Sequence, residues 1–340
     1  MIIHLFFSVI CIGKLKTLGL SRSWDDYYPD TPYNQSIQTA DPVTYQTRYY
    51  YYVNNVLFEN LTAQAIYAKS YTINMVVEDT TFTNISSTKD HGTAMFLTSN
   101  INLIQNKVCS SKCSTRNNGQ HLYIITGKTD LKTFLTSFTN NGNLMYGTGV
   151  LSTSNAKNYL TNSNFSKCQC TSYSALNFHY CIAPSNITYC NIDSCSSKTD
   201  YVLGKGSDRS DMFLQVNDCT IHNCSCNNNL IKFDGSSMVF NINFIDNSLQ
   251  TITSPVLINA GASMTLTNCY FQNTPQLFNE FVHASEIRDS KVEIINQNYP
   301  ASRCPGLEEE IESKIHSNFH EKYFDCGENI YLCFFIVYDK

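Results

Sequence analysis

Cysteine is the residue type in this chain with the widest scope for chemistry. The chain has 15 cysteines in 340 residues, and several of them recur at fixed short spacings. Regularly spaced thiols can form disulfides, ligate a soft metal ion, or fill a core as small apolar groups. The spaced set comprises Cys168, Cys170, Cys190, Cys195, Cys219, Cys224, Cys226 and Cys269.

The other reactive side chains form no complete catalytic or metal-binding pattern. Asp90-His91-Gly92 resembles part of a polygalacturonase site, but the partner aspartates and the basic pair have no match. Gly127-Lys128-Thr129 lacks the first glycine of a phosphate-binding loop. His222, Cys224 and Cys226 alternate, but the paired C-x₂-C units of zinc sites are absent. We therefore predict no catalytic residues, no metal site and no cofactor.

The composition excludes two broad classes of protein. Only 15% of the residues are charged and the formal net charge is −5, whereas soluble domains average about 25% charged residues. A basic surface for nucleic acid is therefore excluded. The 42% hydrophobic and 13% aromatic content is ample for a core, so disorder is excluded as well. No segment reaches the roughly 18 consecutive apolar residues of a membrane-spanning helix, so we predict no complete transmembrane span.

A short phrase recurs about every 25 residues through the middle of the chain. It has a central Phe or Ile, a small or apolar residue two positions before it, and an Asn or similar residue two positions after it. Full copies are centred on Phe58, Phe82, Phe138, Phe165, Ile192, Ile221, Phe244 and Phe271, and degenerate copies lie near Val108 and Ile287.

The repeat predicts stacked short strands. Each copy is flanked by other apolar stretches of three to five residues, and strands this short bury their apolar side chains only against neighbours. Coils of about 25 residues, stacked about 4.8 Å apart, give every strand a parallel partner above and below. The central residue and the one two before it share the inward face, and the Asn lies at a turn. We predict an all-β right-handed parallel β-helix of about ten coils over residues 48–295, with a β-sandwich as the alternative.

In such a fold the cysteines lie in columns. Counted from the central residue of each phrase, Cys190, Cys219 and Cys269 fall at −2, Cys168, Cys195 and Cys224 at +3, and Cys170 and Cys226 at +5. Buried free thiols would fill the interior; disulfides between adjacent coils are the alternative, because a Cα separation of about 4.8 Å can be bridged. By the same count we expect no two repeats to place Asp, Glu, Arg or His at one outward position.

The amino-terminal region differs from the repeat. Residues 2–13 form an apolar run with the length of a secretory signal peptide. We predict a signal peptide over residues 1–20 and a secreted or cell-surface location, with a buried first strand as the alternative. Residues 21–47 are polar and contain three prolines, which predicts an extended segment.

The carboxyl-terminal region, residues 296–340, is predicted to cap the open end of the solenoid. Leu307, Ile311, Ile315 and Phe319 recur at four-residue spacing, which is typical of an amphipathic helix. A disulfide between Cys304 and Cys326 is a further prediction for this cap. The apolar residues 330–338 are either a last strand or the start of a membrane helix.

Two surface features complete the candidates. Asn60, Asn84 and Asn223 lie in N-x-S/T sequons at the same turn position, so they are candidate glycosylation sites, with a hydrogen-bonded Asn ladder as the alternative. The charged segment at residues 204–211 is a candidate partner-contact loop, because binding residues concentrate on loops of rigid scaffolds. Its charged members are Lys205, Asp208, Arg209 and Asp211.

The phrases also carry a family resemblance over roughly residues 48–295. Phe58-Glu59-Asn60 and Phe82-Thr83-Asn84, followed by Gly92-Thr93-Ala94 and Ser174-Ala175-Leu176, resemble the repeats of chlamydial polymorphic outer-membrane proteins. They resemble still more the related β-helix surface proteins of trichomonad protozoa. The resemblance implies a pectin-lyase-like β-helix in a secreted or surface, adhesin-like protein. The rod would offer a flat polar face rich in Asn, Ser, Thr and Tyr on which no reactive groups converge, so we predict a non-enzymatic interaction module that contacts host or cell-surface glycans or proteins. A polysaccharide-processing enzyme is the alternative.

Overall fold

The ten copies of the phrase form strands that stack in parallel as one continuous column. The computed structural model describes residues 24–33, 35–45, 50–88, 91–206, 213–250, 257–294 and 304. Phe58 is in register with Phe82, and Phe165 with Ile192. The degenerate copies take part as the strands Cys109–Ser111 and Ile287–Arg288. The predicted right-handed parallel β-helix is confirmed.

Each coil passes through three main parallel sheets. Some coils also contribute a strand to one of two short sheets. Sheet 1 contains Val43–Tyr45, the first parts of Ile66–Glu78, Met95–Asn106, Leu122–Phe134 and Leu151–Thr161, and then Leu176–His179, Leu203–Gly206, Ile231–Phe233 and Ile258–Ala260. Sheet 2 contains Gln35–Ile37, Tyr50–Asn54, the second parts of the same four long strands, Ser185–Thr188, the first parts of Leu214–His222 and Ser237–Ile245, and then Met264–Thr267 and Val282–Ala284.

Sheet 3 is the column of phrase strands. It contains Leu57–Glu59, Thr81–Thr83, Cys109–Ser111, Ser137–Thr139, Asn164–Ser166, Asn191–Asp193, the second parts of Leu214–His222 and Ser237–Ile245, Cys269–Gln272 and Ile287–Arg288. Two short sheets lie after sheet 3: one contains Ser86–Ser87 and Ser114–Thr115, and the other contains Gln169–Cys170, Ser196–Ser197, Ser225–Cys226 and Ser248–Leu249.

A single left-handed residue makes the corner before sheet 3, and another makes the corner after it. The residues before it are Asn55, Asp79, Lys107, Leu135, Asn162, Tyr189, Asp218, Asn241 and Asn268, and those after it are Asn60, Asn84, Lys112, Asn140, Lys167, Ser194, Asn223, Asp246 and Asn273. Asn and Asp tolerate positive φ better than other non-glycine residues. The Asn of the phrase is therefore a corner residue, as predicted.

Aromatic rings fill the interior behind sheet 3. The rings of Phe58 and Phe82 stack with centroids 5.1 Å apart, and those of Phe138 and Phe165 lie 4.8 Å apart. Ser110 interrupts this column in the coil between them. The ring of His121 occupies the gap, 5.3 Å from Phe82 and 5.0 Å from Phe138, so a side chain from the start of sheet 1 repairs the degenerate phrase.

The segment predicted to be extended contains the first elements among the described residues. The only helix among the described residues is Trp24–Tyr27, and the strands Gln35–Ile37 and Val43–Tyr45 begin sheets 2 and 1. Trp24 is buried and packs on Val76 and Ile104 at the outward face of sheet 2.

Several predictions fall on residues that the structure does not describe. The signal peptide at residues 1–20 lies outside the described residues, and so does the predicted cap helix; of the cap, Cys304 is described. In the part of the chain that is described, no helix has the length and apolar character needed to cross a membrane.

Candidate binding face

The outward side of sheet 1 carries a row of aromatic rings. Tyr67, Phe96 and Tyr123 are register partners in three consecutive coils. Their ring centroids are 5.5 Å and 5.8 Å apart, and all three side chains are partly exposed. Sequence reasoning missed this row. The available signal is that each of the three aromatic residues directly follows an apolar residue.

His91 extends this aromatic row. Its ring stacks on Tyr123 with a centroid separation of 4.5 Å, and its Nδ1 accepts a hydrogen bond from the backbone N–H of Asn118 at 3.2 Å. Gln64 donates to the carbonyl oxygen of His91 at 2.8 Å. These contacts fix the imidazole beside the aromatic row. Asp90 lies outside the described residues.

A second aromatic group lies further along the same face. Tyr173 lies directly over Gly204, because a Cβ on that glycine would be 2.1 Å from the tyrosine ring. The neighbouring Tyr201 has Lys232 5.4 Å from its ring centroid, and the same ammonium group lies 3.5 Å from Asp234. Burial raises the pKa of Tyr173 to about 12, so its hydroxyl stays protonated and able to donate. Gly204 therefore leaves room for a ring in the outward column of sheet 1.

A loop beside sheet 1 adds exposed apolar surface. Met145 is 63% exposed and Tyr146 is 42% exposed, although both are large apolar side chains. The guanidinium of Arg116 lies 5.3 Å from the Tyr146 ring centroid, which is within cation–π range. This loop leads into the strand Leu151–Thr161 of sheet 1.

The closest approach to a catalytic cluster lies elsewhere, on sheet 3. Asp193 and His222 occupy the same outward position in adjacent coils, so the expectation that no repeats share such a position was wrong. Asp193 lies 2.6 Å from Nδ1 of His222, and Asp246 lies 3.6 Å from Nε2. The imidazole fills the space between the two carboxylates, where glycoside hydrolysis would need a sugar and a water molecule. All three side chains are 28–43% exposed, so no cleft excludes water from them.

The eight candidate cysteines are buried free thiols. Cys195 follows the corner residue Ser194, points inward, and donates to the carbonyl of Asp193 at 3.5 Å. Cys219 follows the corner Asp218 and donates to Asn217 at 2.9 Å. The same bond across a corner recurs at Cys168, Cys190, Cys224 and Cys269. We call this bond the corner staple.

Hydroxyl residues make the corner staple in other coils. Thr80 donates to Glu78 at 2.8 Å, Ser163 to Thr161 at 3.2 Å and Thr274 to Gln272 at 3.0 Å. Positions −2 and +3 of the phrase therefore require a small, inward-facing side chain that can donate a hydrogen bond. Cysteine meets this requirement. Burial raises the pKa of the Cys195 thiol well above its ordinary value, which keeps it protonated and unreactive. Among the described residues no group of three His, Cys, Asp or Glu could hold a metal ion.

The remaining predicted residues are the sequon asparagines and the charged segment at residues 204–211. Asn60, Asn84 and Asn223 are exposed corner residues, and Asn84 donates to Asn60 at 2.5 Å, so both the glycan site and the Asn ladder remain as predictions. Lys205 is not on a loop: it lies in sheet 1, 1% exposed, and donates to the carbonyl of Ser236 at 3.2 Å. Asp208, Arg209 and Asp211 lie outside the described residues.

The predicted Cys304–Cys326 disulfide is wrong. Cys304 is bonded to Cys109, with a Cα separation of 5.7 Å, and a cysteine forms one disulfide at a time. Cys326 lies outside the described residues. Sequence spacing favoured the nearer partner, whereas the fold brings residue 304 back to a strand 195 positions earlier.

The fold and its repeat define this chain as a right-handed parallel β-helix repeat protein. Comparison with known proteins adds no relative: no family model matches the chain, and no match was found among curated proteins or solved structures.

Proposed function

We propose that this chain is a secreted or cell-surface, adhesin-like binding module that holds glycans on the outward face of sheet 1. The row of Tyr67, Phe96 and Tyr123 carries the proposal, because large apolar rings on an outward sheet face mark a contact surface. Aromatic rings offer broad apolar faces, which suit the C–H faces of sugar rings.

Polar groups beside the rings suit the hydroxyls of a sugar. Asn177 and Asn259 stand in the same outward column as the aromatic row, and their amides can both donate and accept hydrogen bonds. The Asn177 amide donates to Ser152 at 3.2 Å. With only 15% charged residues in the chain, the face favours neutral, hydroxyl-rich ligands over strongly charged ones.

The location rests on separate support. The apolar run at residues 2–13 favours secretion, and the resemblance to trichomonad and chlamydial surface β-helix proteins points the same way. The Cys109–Cys304 disulfide supports an oxidising compartment. Mass spectrometry of the native protein tests this: a chain that starts after about residue 20 and carries glycans at Asn60, Asn84 or Asn223 is expected. An intact Met1 with all sequons bare would refute secretion.

A glycan array, run beside an activity screen on acidic polysaccharides, tests the binding function. We expect retention of a subset of neutral glycans without turnover. Retention of proteins but no glycans would refute the glycan assignment. Turnover of a polysaccharide would instead favour the alternative, a polysaccharide-processing enzyme.

A further inference from the structure

Aromatic side chains gather on the outward face of sheet 2 at the amino-terminal end of the rod. We call residues 24–33, which pack on this face, the strap. Trp24 of the strap is buried, and its ring centroid lies 5.9 Å from that of Tyr33 and 6.0 Å from that of Tyr52. The full cluster comprises Trp24, Tyr27, Tyr28, Tyr33, Tyr50 and Tyr52. The strap and sheet 2 therefore meet through oxidisable rings.

One pair of tyrosines joins the strap to the sheet at a position that solvent reaches. The ring centroids of Tyr33 and Tyr52 are 5.7 Å apart, and the ring planes are tilted by 50°. Tyr33 is 44% exposed and Tyr52 is partly exposed, so an oxidant in solution can reach the pair. Two phenol rings in contact couple through their ortho carbons once each has lost one electron and one proton. Only a small approach of the two rings separates this contact from a covalent bond between the strap and sheet 2.

A buried carboxylate lies beside this pair. Glu78 is 0% exposed and accepts a hydrogen bond at 2.8 Å from the hydroxyl of Tyr52. The amide of Asn106 donates to the same carboxylate at 2.7 Å, and the hydroxyl of Tyr27 donates to it at 3.4 Å. Burial raises the pKa of Glu78. This carboxylate therefore takes up a proton more readily than an exposed one.

The hydrogen bond to Glu78 makes Tyr52 easier to oxidise. Burial and this bond raise the pKa of Tyr52, so its hydroxyl keeps its proton at neutral pH. A phenol that loses an electron becomes a strong acid, and the electron leaves more readily when a neighbouring base takes the proton in the same step. Glu78 is such a base, because 2.8 Å lies within the range for direct proton transfer.

We propose that Tyr33 and Tyr52 form a modification site at which hydrogen peroxide and a haem peroxidase create a dityrosine cross-link. Each ring gives one electron to the oxidised haem, while the proton of Tyr52 goes to Glu78 and that of Tyr33 goes to water. The two radicals join through one ortho carbon of each ring. The hydrogen on each of those carbons is then lost as a proton, and a proton returns to each phenol oxygen. In total, two C–H bonds break, one C–C bond forms, and one hydrogen peroxide is reduced to two water molecules.

The chain contains a matched pair of tyrosines with a different neighbour. The ring centroids of Tyr173 and Tyr201 are 5.3 Å apart, closer than those of the strap pair. The ammonium of Lys232 lies 5.4 Å from the Tyr201 ring centroid, and an ammonium cannot accept a proton. Its positive charge also opposes the loss of an electron from that ring. Oxidation should therefore select the strap pair over this closer pair.

Treatment of the full chain with a haem peroxidase and hydrogen peroxide tests the site. Dityrosine fluorescence measures the rate, and a peptide map identifies the linked residues. We expect a peptide containing Tyr33 joined to one containing Tyr52, and we expect most of the fluorescence to be lost in Tyr33→Phe but kept in Tyr201→Phe. Glu78→Gln, whose amide cannot take the proton, should slow the reaction at least about tenfold. Its far-UV circular dichroism should stay like that of the wild type.

Three results would overturn the proposal. The first is a wild-type map in which the link between Tyr173 and Tyr201 predominates, or in which no dityrosine forms. The second is a link from Tyr33 to a second copy of the chain, seen as a covalent dimer, in place of the link to Tyr52. The third is an unchanged rate in folded Glu78→Gln. Because the wild-type map alone decides between the two tyrosine pairs, a misfolded variant does not weaken the test.

Discussion

Sheets 1 and 3 belong to the same coils and line the same core, yet their outward faces differ. Sheet 1 keeps the rings of Tyr67, Phe96 and Tyr123 partly exposed. Sheet 3 buries the outward hydroxyls of Thr81 and Ser137 beside Cys109, and Cys109 is bonded to Cys304. The inward side chains of both sheets must pack against the same core, whereas the outward side chains of the two sheets have different surroundings. Function is therefore to be sought at outward positions, which the repeat leaves free to vary.

The largest expected effect is on binding, from removing the aromatic row of sheet 1. In the triple variant Tyr67→Ser, Phe96→Ser and Tyr123→Ser, each lost ring contact should cost about 1 kcal/mol. Together they should weaken glycan binding about 100-fold, since each 1.4 kcal/mol is a factor of ten. Isothermal titration with a glycan from the array measures the loss.

A variant on another face is the matched control. Met238 and Phe240 are exposed on the outward face of sheet 2, so Met238→Ser with Phe240→Ser removes similar apolar surface away from sheet 1. Binding should stay within about twofold of wild type. An equal loss in both variants would erase the distinction between the faces.

The next largest effect concerns the stability of the core and should leave both outward faces unchanged. Burial lowers the pKa of His121 to about 3, below the ordinary value of about 6.5 for the unfolded chain. The unfolded chain therefore binds the extra proton first, and stability falls as the pH drops from about 6.5 towards 3 by up to about 1.4 kcal/mol per unit. His121→Phe should remove this part of the acid sensitivity, about 2 to 3 kcal/mol at pH 4.5.

Urea unfolding at several pH values measures the effect of His121→Phe. Glycan binding at pH 7 should be unchanged, because the ring lies between Phe82 and Phe138 inside the rod. The account of His121 fails if the wild type and the variant lose stability in parallel between pH 6.5 and 4.5.

A smaller effect tests the corner staple. Cys195→Ala removes the donor to Asp193 and should cost about 1 kcal/mol. Cys195→Ser keeps a donor at the same corner and should cost less, as the natural Ser163 and Thr274 suggest. Thermal unfolding under reducing conditions ranks the three proteins. If Ala proved as stable as Cys and Ser did not, packing alone would explain the cysteine columns.

The smallest effect concerns the charged cluster on sheet 3. His222→Gln should change stability by no more than about 0.5 kcal/mol, because its contacts with Asp193 and Asp246 are exposed to solvent. Glycan binding to sheet 1 should not change. Should the wild type turn over a polysaccharide and His222→Gln abolish it, sheet 3 would be the functional face instead.

The inward pattern of the fold was predictable from sequence, because stacking repeats it. Phe82, Asn84 and Cys195 each occupy a position that recurs at a fixed offset in the phrase. Those offsets predicted the strand, the corner and the column of thiols. The donor role of Cys195 was not predicted, since it depends on the carbonyl that the left-handed corner turns inward.

Features that join distant coils or serve one coil were not predictable. The Cys109–Cys304 bond joins residues 195 apart, and His121 fills a gap that exists only because Ser110 replaced a ring. Lys205 was predicted to lie on a loop because its charge suggested exposure, yet the register places it inward beside Phe178 and Phe233. To predict the aromatic row, the register of the sheet 1 strands would have been needed. Those strands lie at varying numbers of residues from the repeated phrase, so the phrase does not align them.

The most direct test of the binding face is hydroxyl-radical footprinting of the full chain with and without a bound glycan. We predict protection of Tyr67, Phe96 and Tyr123 on sheet 1, with Met238 on sheet 2 and Tyr270 on sheet 3 oxidised equally in both samples. Protection confined to Tyr270 and His222, or none at the aromatic row while the glycan is bound, would contradict the assignment of sheet 1 as the binding face.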